Sequence, residues 1–221
     1  MEGDVQVTRN GGMVMMHDAT LDRTTNRTGR VIDRDTSYIT AAYLELPVDR
    51  DGDARDPLDG DNTPYHPPTF RQWLAACKAT GKLCFVELKE SEHWSRTMVK
   101  AYVDEINRQG MKDKVITAGS ETRLSYFKSY SSGARSWSVA HKPSTTKLKS
   151  VVGSTGYFTL SLTNAEADPA YVTQLQSAGL KGLVYTLDNE SHYRRALPLG
   201  FYGWMCDNTR DAWGWLEANG A

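Results

Sequence analysis

The sequence predicts an α/β fold of the (β/α)8 TIM-barrel type, and three observations carry that reading. From about residue 82 onward, short β-branched or aromatic runs alternate with longer amphipathic ones, the pattern of parallel strands covered by helices. Polar residues gather where the runs end: Glu2, Asp4, Glu87, Lys89, Ser120, His141, Asn164, Asn189 and Asp207. In a barrel these fall at one rim, where strands pass into loops. No GxGxxG or GxxxxGK[ST] follows any run, which disfavours the nucleotide-binding open sheets.

The elements follow in order. MEGDVQV opens the chain as a strand with Glu2 and Asp4 on one face, because strand side chains alternate with a period of two. MVMMHDATLDRTTNRTG (13–29) places His17 at the end of an apolar strand, before a polar turn rich in threonine. VDRDGDARDPLDGDNTPYHPP (48–68) is aperiodic and rich in Asp, Gly and Pro. It reads as a long insertion loop. Its Asp49, Asp51 and Asp53 resemble the start of a calcium loop, but the glycine and the closing glutamate are out of place, so a solvated acidic loop is expected instead.

A helix is expected from near Thr69, then a strand at KLCFVELK (82–89) with Glu87 and Lys89 on one face. The run 92–110 predicts a helix with Trp94, Met98, Ala101, Tyr102 and Ile106 on its buried stripe, closed by Gly110. Strands are expected at KVITAGS (114–120), RSWSVA (135–140), YFTLSLTN (157–164), GLVYTLDN (182–189) and FYGWMCDN (201–208). Helices are expected at 168–179, capped by Asp168 with Pro169 in the first turn, and behind the caps Asn189 and Asn208. The whole chain reads as a single domain, 1–221.

Composition bounds the function. Of the 221 residues, 26 are Lys or Arg and 27 are Asp or Glu, so there is no basic excess with which to hold a nucleic acid by counterion release. A small molecule is the expected partner. Cys77, Cys84 and Cys206 have no paired metal-ligand spacing and read as core-filling thiols. No apolar stretch reaches the 18 or so residues of a membrane span. Oligomeric state and cellular location are left open by these residues.

Two or three carboxylates on neighbouring strands suit a hard divalent cation, Mg²⁺ or Ca²⁺ alike. A lysine beside them makes sense if the ligand is a phosphate whose charge metal and lysine neutralise together. A histidine such as His17 then supplies proton transfer near neutral pH. The set points to metal-assisted phosphate ester chemistry.

The order E-x-D, HDATLDRTTNRTG, PPTFRQWL and FVELKE strongly resembles the glycerophosphodiester phosphodiesterase family. The resemblance runs through Thr8, Gly11, Val14, His17 and Asp18, continues from Leu21 to Gly29, and extends more loosely to YTLDN (185–189) and GWMCDN (203–208). It implies a (β/α)8 barrel that hydrolyses a glycerophosphodiester to an alcohol and glycerol 3-phosphate with a divalent metal. By position it implies Glu2, Asp4 and Glu87 as metal ligands, His17 as a catalytic histidine, and Lys89 and Tyr185 as substrate contacts. Asp18 and Arg23 match as residues that shape the turn holding His17. A lipid-derived diester and a glycerophosphate polymer are both open as substrates.

The family pattern also has an earlier strand carrying His-Arg-Gly, and this sequence does not contain it. The expectation is therefore a barrel without its first strand and helix, in a chain that begins inside a longer protein. Two alternatives stay open. His141 or His192 could serve as the second histidine, or the chain could be a catalytically impaired module that binds phosphodiesters or assists assembly.

Overall fold

The computed structural model describes residues 1–44, 65–138, 143–153 and 156–219, and of Ser91 the main chain alone. These residues fall into two compact units, Met1–Ala134 and Arg135–Ala221. Both are α/β, as the sequence predicts.

The first unit carries strands β1 (Glu2–Val7), β2 (Met13–Met15), β3 (Cys84–Leu88) and β4 (Val115–Ala118), in the order β2-β1-β3-β4. Its helices are α1 (Thr36–Thr40), α2 (Phe70–Thr80), α3 (Arg96–Arg108) and α4 (Glu121–Tyr130). Strict alternation fails at its start: β2 pairs antiparallel to β1, with Val5 opposite Met15, whereas β1, β3 and β4 run parallel. Val5, Val7, Cys84, Val86 and Leu88 are buried, on the faces of β1 and β3 opposite Asp4 and Glu87. Gly3 lies on that side too, where a Cβ would come within 2.7 Å of Met15 and 3.0 Å of Trp73. Only glycine lets helix α2 approach so closely.

Helix α2 starts where Thr69 and Gln72 form a reciprocal capping box. Helix α3 begins later than expected, after a 3₁₀ turn at Ser91–His93, because the Ser95 side chain caps it through the Met98 N–H. Its buried face also differs from the predicted stripe. Val99, Tyr102, Val103, Glu105 and Ile106 are buried, while Met98 and Ala101 are half-buried.

The second unit carries β5 (Arg135–Ser138), β6 (Tyr157–Ser161), β7 (Lys181–Tyr185) and β8 (Gly203–Trp204), all parallel. Its helices are α5 (Thr145–Val152), α6 (Leu162–Ala167), α7 (Pro169–Ser177), α8 (Glu190–Ala196) and α9 (Thr209–Ala218). The caps Asp168, Asn189 and Asn208 each accept the predicted hydrogen bond from the following main chain. The predicted strand at 157–164 is shorter than expected, because the Ser161 side chain accepts the Asn164 N–H and turns the chain into α6. Helix α7 packs over the sheet through Val172 and Leu175, beside Leu148, Phe158 and Leu160.

The predicted loop 48–68 lies outside the described residues up to position 64, as do Asp49, Asp51, Asp53 and His141. At the loop's end His66 is a structural residue, with Nδ1 2.7 Å from the Ala42 carbonyl oxygen. Cys77 and Cys84 are buried free thiols as expected, and Cys206 is half-buried. Among the described residues no helix is long and apolar enough to cross a membrane.

Candidate active site

The first unit brings five of the predicted site residues together. Asp4 and Glu87 are register partners across the parallel pair β1 and β3, so their side chains project to the same face. Glu2 lies two residues back on that face of β1, level with Phe85. Lys89, just beyond the end of β3, donates its N–H to the Val5 carbonyl. Its ammonium lies between the acids, with Nζ 3.6 Å from Asp4 Oδ1 and 3.6 Å from Glu87 Oε1.

All three carboxyls are held above their ordinary range. For Asp4 and Glu87 desolvation is the largest cause, partly offset by Lys89 and His17, and for Glu87 the charge of Asp4 adds to it. Glu2, although open to solvent on one side, is pushed up to about 8 by desolvation and then by the charges of Asp4 and Glu87. Partly desolvated like charges favour the neutral acid until a cation joins them.

His17 stands just past β2 with its ring exposed. Its Nδ1 lies 2.8 Å from Asp18 Oδ1. Arg23 grips the same carboxylate with both arms, Nε to Oδ2 at 2.6 Å and Nη2 to Oδ1 at 2.8 Å. Hydrogen bonds from Arg23 and then His17 hold Asp18 well below the usual carboxylate range. An ionised Asp18 can only accept, so the facing Nδ1 of His17 carries the hydrogen. Nε2 is the ring nitrogen that Asp18 does not hold.

The turn that supplies Asp18 and Arg23 closes on itself. Leu21 is buried, its N–H donates to the Gly29 carbonyl, and Asp22 Oδ2 accepts the Gly29 N–H. Gly29 adopts φ +104° there, a conformation that glycine takes without strain.

One residue of this region escaped the sequence reading. Gln6 follows Asp4 on the same face of β1 and is buried, and its Nε2 donates to the carbonyls of Met16 at 3.0 Å, His17 at 3.4 Å and Asp18. A polar side chain continuing the spacing of Glu2 and Asp4 was the available signal.

Other predicted residues take different places. Tyr185 is in the second unit, half-buried at the end of β7. His192 lies in α8 of that unit, where Nδ1 accepts the Asp188 N–H at 3.3 Å. Asn164 and Asn189 are used at helix starts, and Ser120 occupies the position before α4. The Asp207 N–H points to Asp188 Oδ1 at 3.5 Å.

Among the described residues, no three His, Cys, Asp or Glu side chains already close around an ion position. The donor set still suits a hard cation: Glu2, Asp4 and Glu87 offer only oxygen ligands, and desolvation holds all three carboxyls above their ordinary range.

Comparison with known proteins places this geometry in context. The model of the glycerophosphoryl diester phosphodiesterase family matches residues 1–210. No curated protein matches the sequence. Solved structures do match. A Silicibacter pomeroyi protein assigned as a glycerophosphoryl diester phosphodiesterase aligns at TM-score 0.80 and 18% identity, over 99% of this chain and 83% of its own. A glycerophosphodiester phosphodiesterase from Parabacteroides distasonis aligns at 0.78 and 16%, over 100% and 84%. An Oleispira antarctica phosphodiesterase, solved with the product sn-glycerol-3-phosphate, aligns at 0.76 and 18%, over 93% and 80%. At these identities the likeness shows the fold.

Proposed function

This chain belongs to the glycerophosphoryl diester phosphodiesterase family, and we propose that it hydrolyses a glycerophosphodiester to an alcohol and glycerol 3-phosphate with a divalent metal held by Glu2, Asp4 and Glu87. The observation that carries this reading is Lys89 set between the register partners Asp4 and Glu87, on the strand pair that also borders the strand leading to His17. Bound there, Mg²⁺ or Ca²⁺ would offset the charge of the diester and polarise its phosphorus.

Lys89 meets a phosphate oxygen and holds the diester against the acidic face by charge. His17 moves the proton at Nε2, with Asp18 keeping the hydrogen on Nδ1. In the net step a water oxygen bonds to phosphorus and the bond from phosphorus to the alcohol oxygen breaks. A proton from the water ends on the departing alcohol. The substrate is a lipid-derived glycerophosphodiester or a glycerophosphate polymer.

The test is release of choline from glycerophosphocholine, and of the alcohol from related diesters, with Mg²⁺, Ca²⁺ and Mn²⁺ in turn. Release that is lost in Glu87→Gln and His17→Ala supports the reading. Metal-dependent diester binding without turnover supports the second reading, a phosphodiester-binding module, which rests on His17 being the one histidine that follows directly on the strand paired with β1 among the described residues.

A further inference from the structure

We infer that Gln6 is a positioning residue for the proton-transfer group, a strut that fixes the main chain bearing His17 and Asp18 against the strand bearing the acids. The inference rests on the proposed hydrolytic reading for its kinetic consequence and on the geometry alone for its mechanical one.

Gln6 is 1% exposed, so its carboxamide must find its partners inside the protein. Three carbonyl oxygens, of Met16, His17 and Asp18, converge on one end of it. Carbonyls only accept, so that end is the NH₂ group. The amide thus grips consecutive peptide units on either side of the His17 Cα. The Met16 N–H, which donates to the Asp4 carbonyl at 2.9 Å, adds a main-chain tie from the same strand.

This placement fits a positioning role better than general stabilisation. The register of β1 and β2 runs to the pair Val5 and Met15, and the Met16 N–H bond to the Asp4 carbonyl carries the main-chain contact one residue further, up to the carbonyls that Gln6 takes. Beyond that point the His17 side chain is exposed and its ring is held by Asp18. Glu2, Asp4 and Gln6 occupy successive positions on one face of β1, so one rigid strand sets both the carboxylates and the height of the histidine above them. Asp18 fixes the ring and Gln6 fixes the peptide planes beneath it.

The test uses the full chain and two variants. Gln6→Met keeps length and loses both donors, and Gln6→Asn keeps the amide but draws it back by one methylene, as a milder change should the first fail to fold. In wild type, ¹⁵N relaxation gives order parameters near 0.85 at His17 and Asp18, as for rigid backbone, and in the variants they fall toward about 0.6 while Val5 and Val86 stay rigid. With glycerophosphocholine as substrate, kcat falls about 10- to 100-fold, while KM and the calorimetric affinity for Mg²⁺ alone change less than about twofold. Unchanged order parameters at His17 and Asp18 in the variants overturn the inference, as does a loss of kcat, KM and Mg²⁺ affinity together. A wild-type chain without turnover overturns the functional reading alone, since the relaxation data still decide whether Gln6 is the strut.

Discussion

Asp4 and Glu87 sit opposite one another on adjacent parallel strands and share the ammonium of Lys89, at 3.6 Å from each. That arrangement lets two carboxylates stand side by side in a partly desolvated place.

Lys89→Met removes this shared cation and the proposed phosphate contact at once. Activity on glycerophosphocholine is expected to fall by about 100-fold or more, the scale of a lost transition-state donor. Steady-state kinetics check it. A variant with wild-type kcat/KM would remove Lys89 from the mechanism.

Asp18→Asn replaces an obligatory acceptor by an amide that can also donate, so the Nδ1 hydrogen of His17 loses its anchor. We expect kcat to drop roughly 10- to 100-fold with little change in KM, within the scale of acid–base catalysis. The ¹⁵N shifts of the His17 ring report the accompanying change of tautomer.

Divalent metal should stabilise the folded chain. At about 100 times Kd the gain is about 2.7 kcal/mol, and it should disappear in Glu87→Gln and after chelation. Thermal melting with Mg²⁺ and with Ca²⁺ reads the effect and ranks the two ions.

Glu105 gives a prediction about stability away from the site. Burial raises this carboxyl, but hydrogen bonds from Arg71 and Gln109 and the charges of Arg71 and Arg108 outweigh it, leaving it below its ordinary value. A depressed carboxyl stabilises the fold fully above its unfolded pKa of about 4.3, and the contribution fades as pH falls through the lower folded value. Glu105→Gln should cost about 1–3 kcal/mol at neutral pH. It should also flatten the loss of stability below about pH 4.3, as read by denaturant melts across pH.

Local chemistry was legible in the sequence. The caps at Asp168, Asn189 and Asn208 act where residue type and spacing place them, and the alternation in EGDVQV and FVELK puts Asp4 and Glu87 on one face. What was not legible depends on distant partners. Glu105 is buried because Arg71, on another helix, reaches its carboxylate, so the buried stripe of α3 runs through a charged residue. The antiparallel turn of β2 against β1 left no mark in three apolar residues, whose pattern carries no direction. Gln6 is an ordinary strand residue until the loop bearing His17 folds back over it.

The central claim is tested most directly by ³¹P NMR of the purified chain with glycerophosphocholine and Mg²⁺, Ca²⁺ or Mn²⁺. The account predicts that the diester signal gives way to that of glycerol 3-phosphate, and that His17→Ala slows this by about 10²- to 10⁴-fold. A diester signal that persists with every metal in the folded wild-type chain, or conversion as fast in His17→Ala, would contradict it.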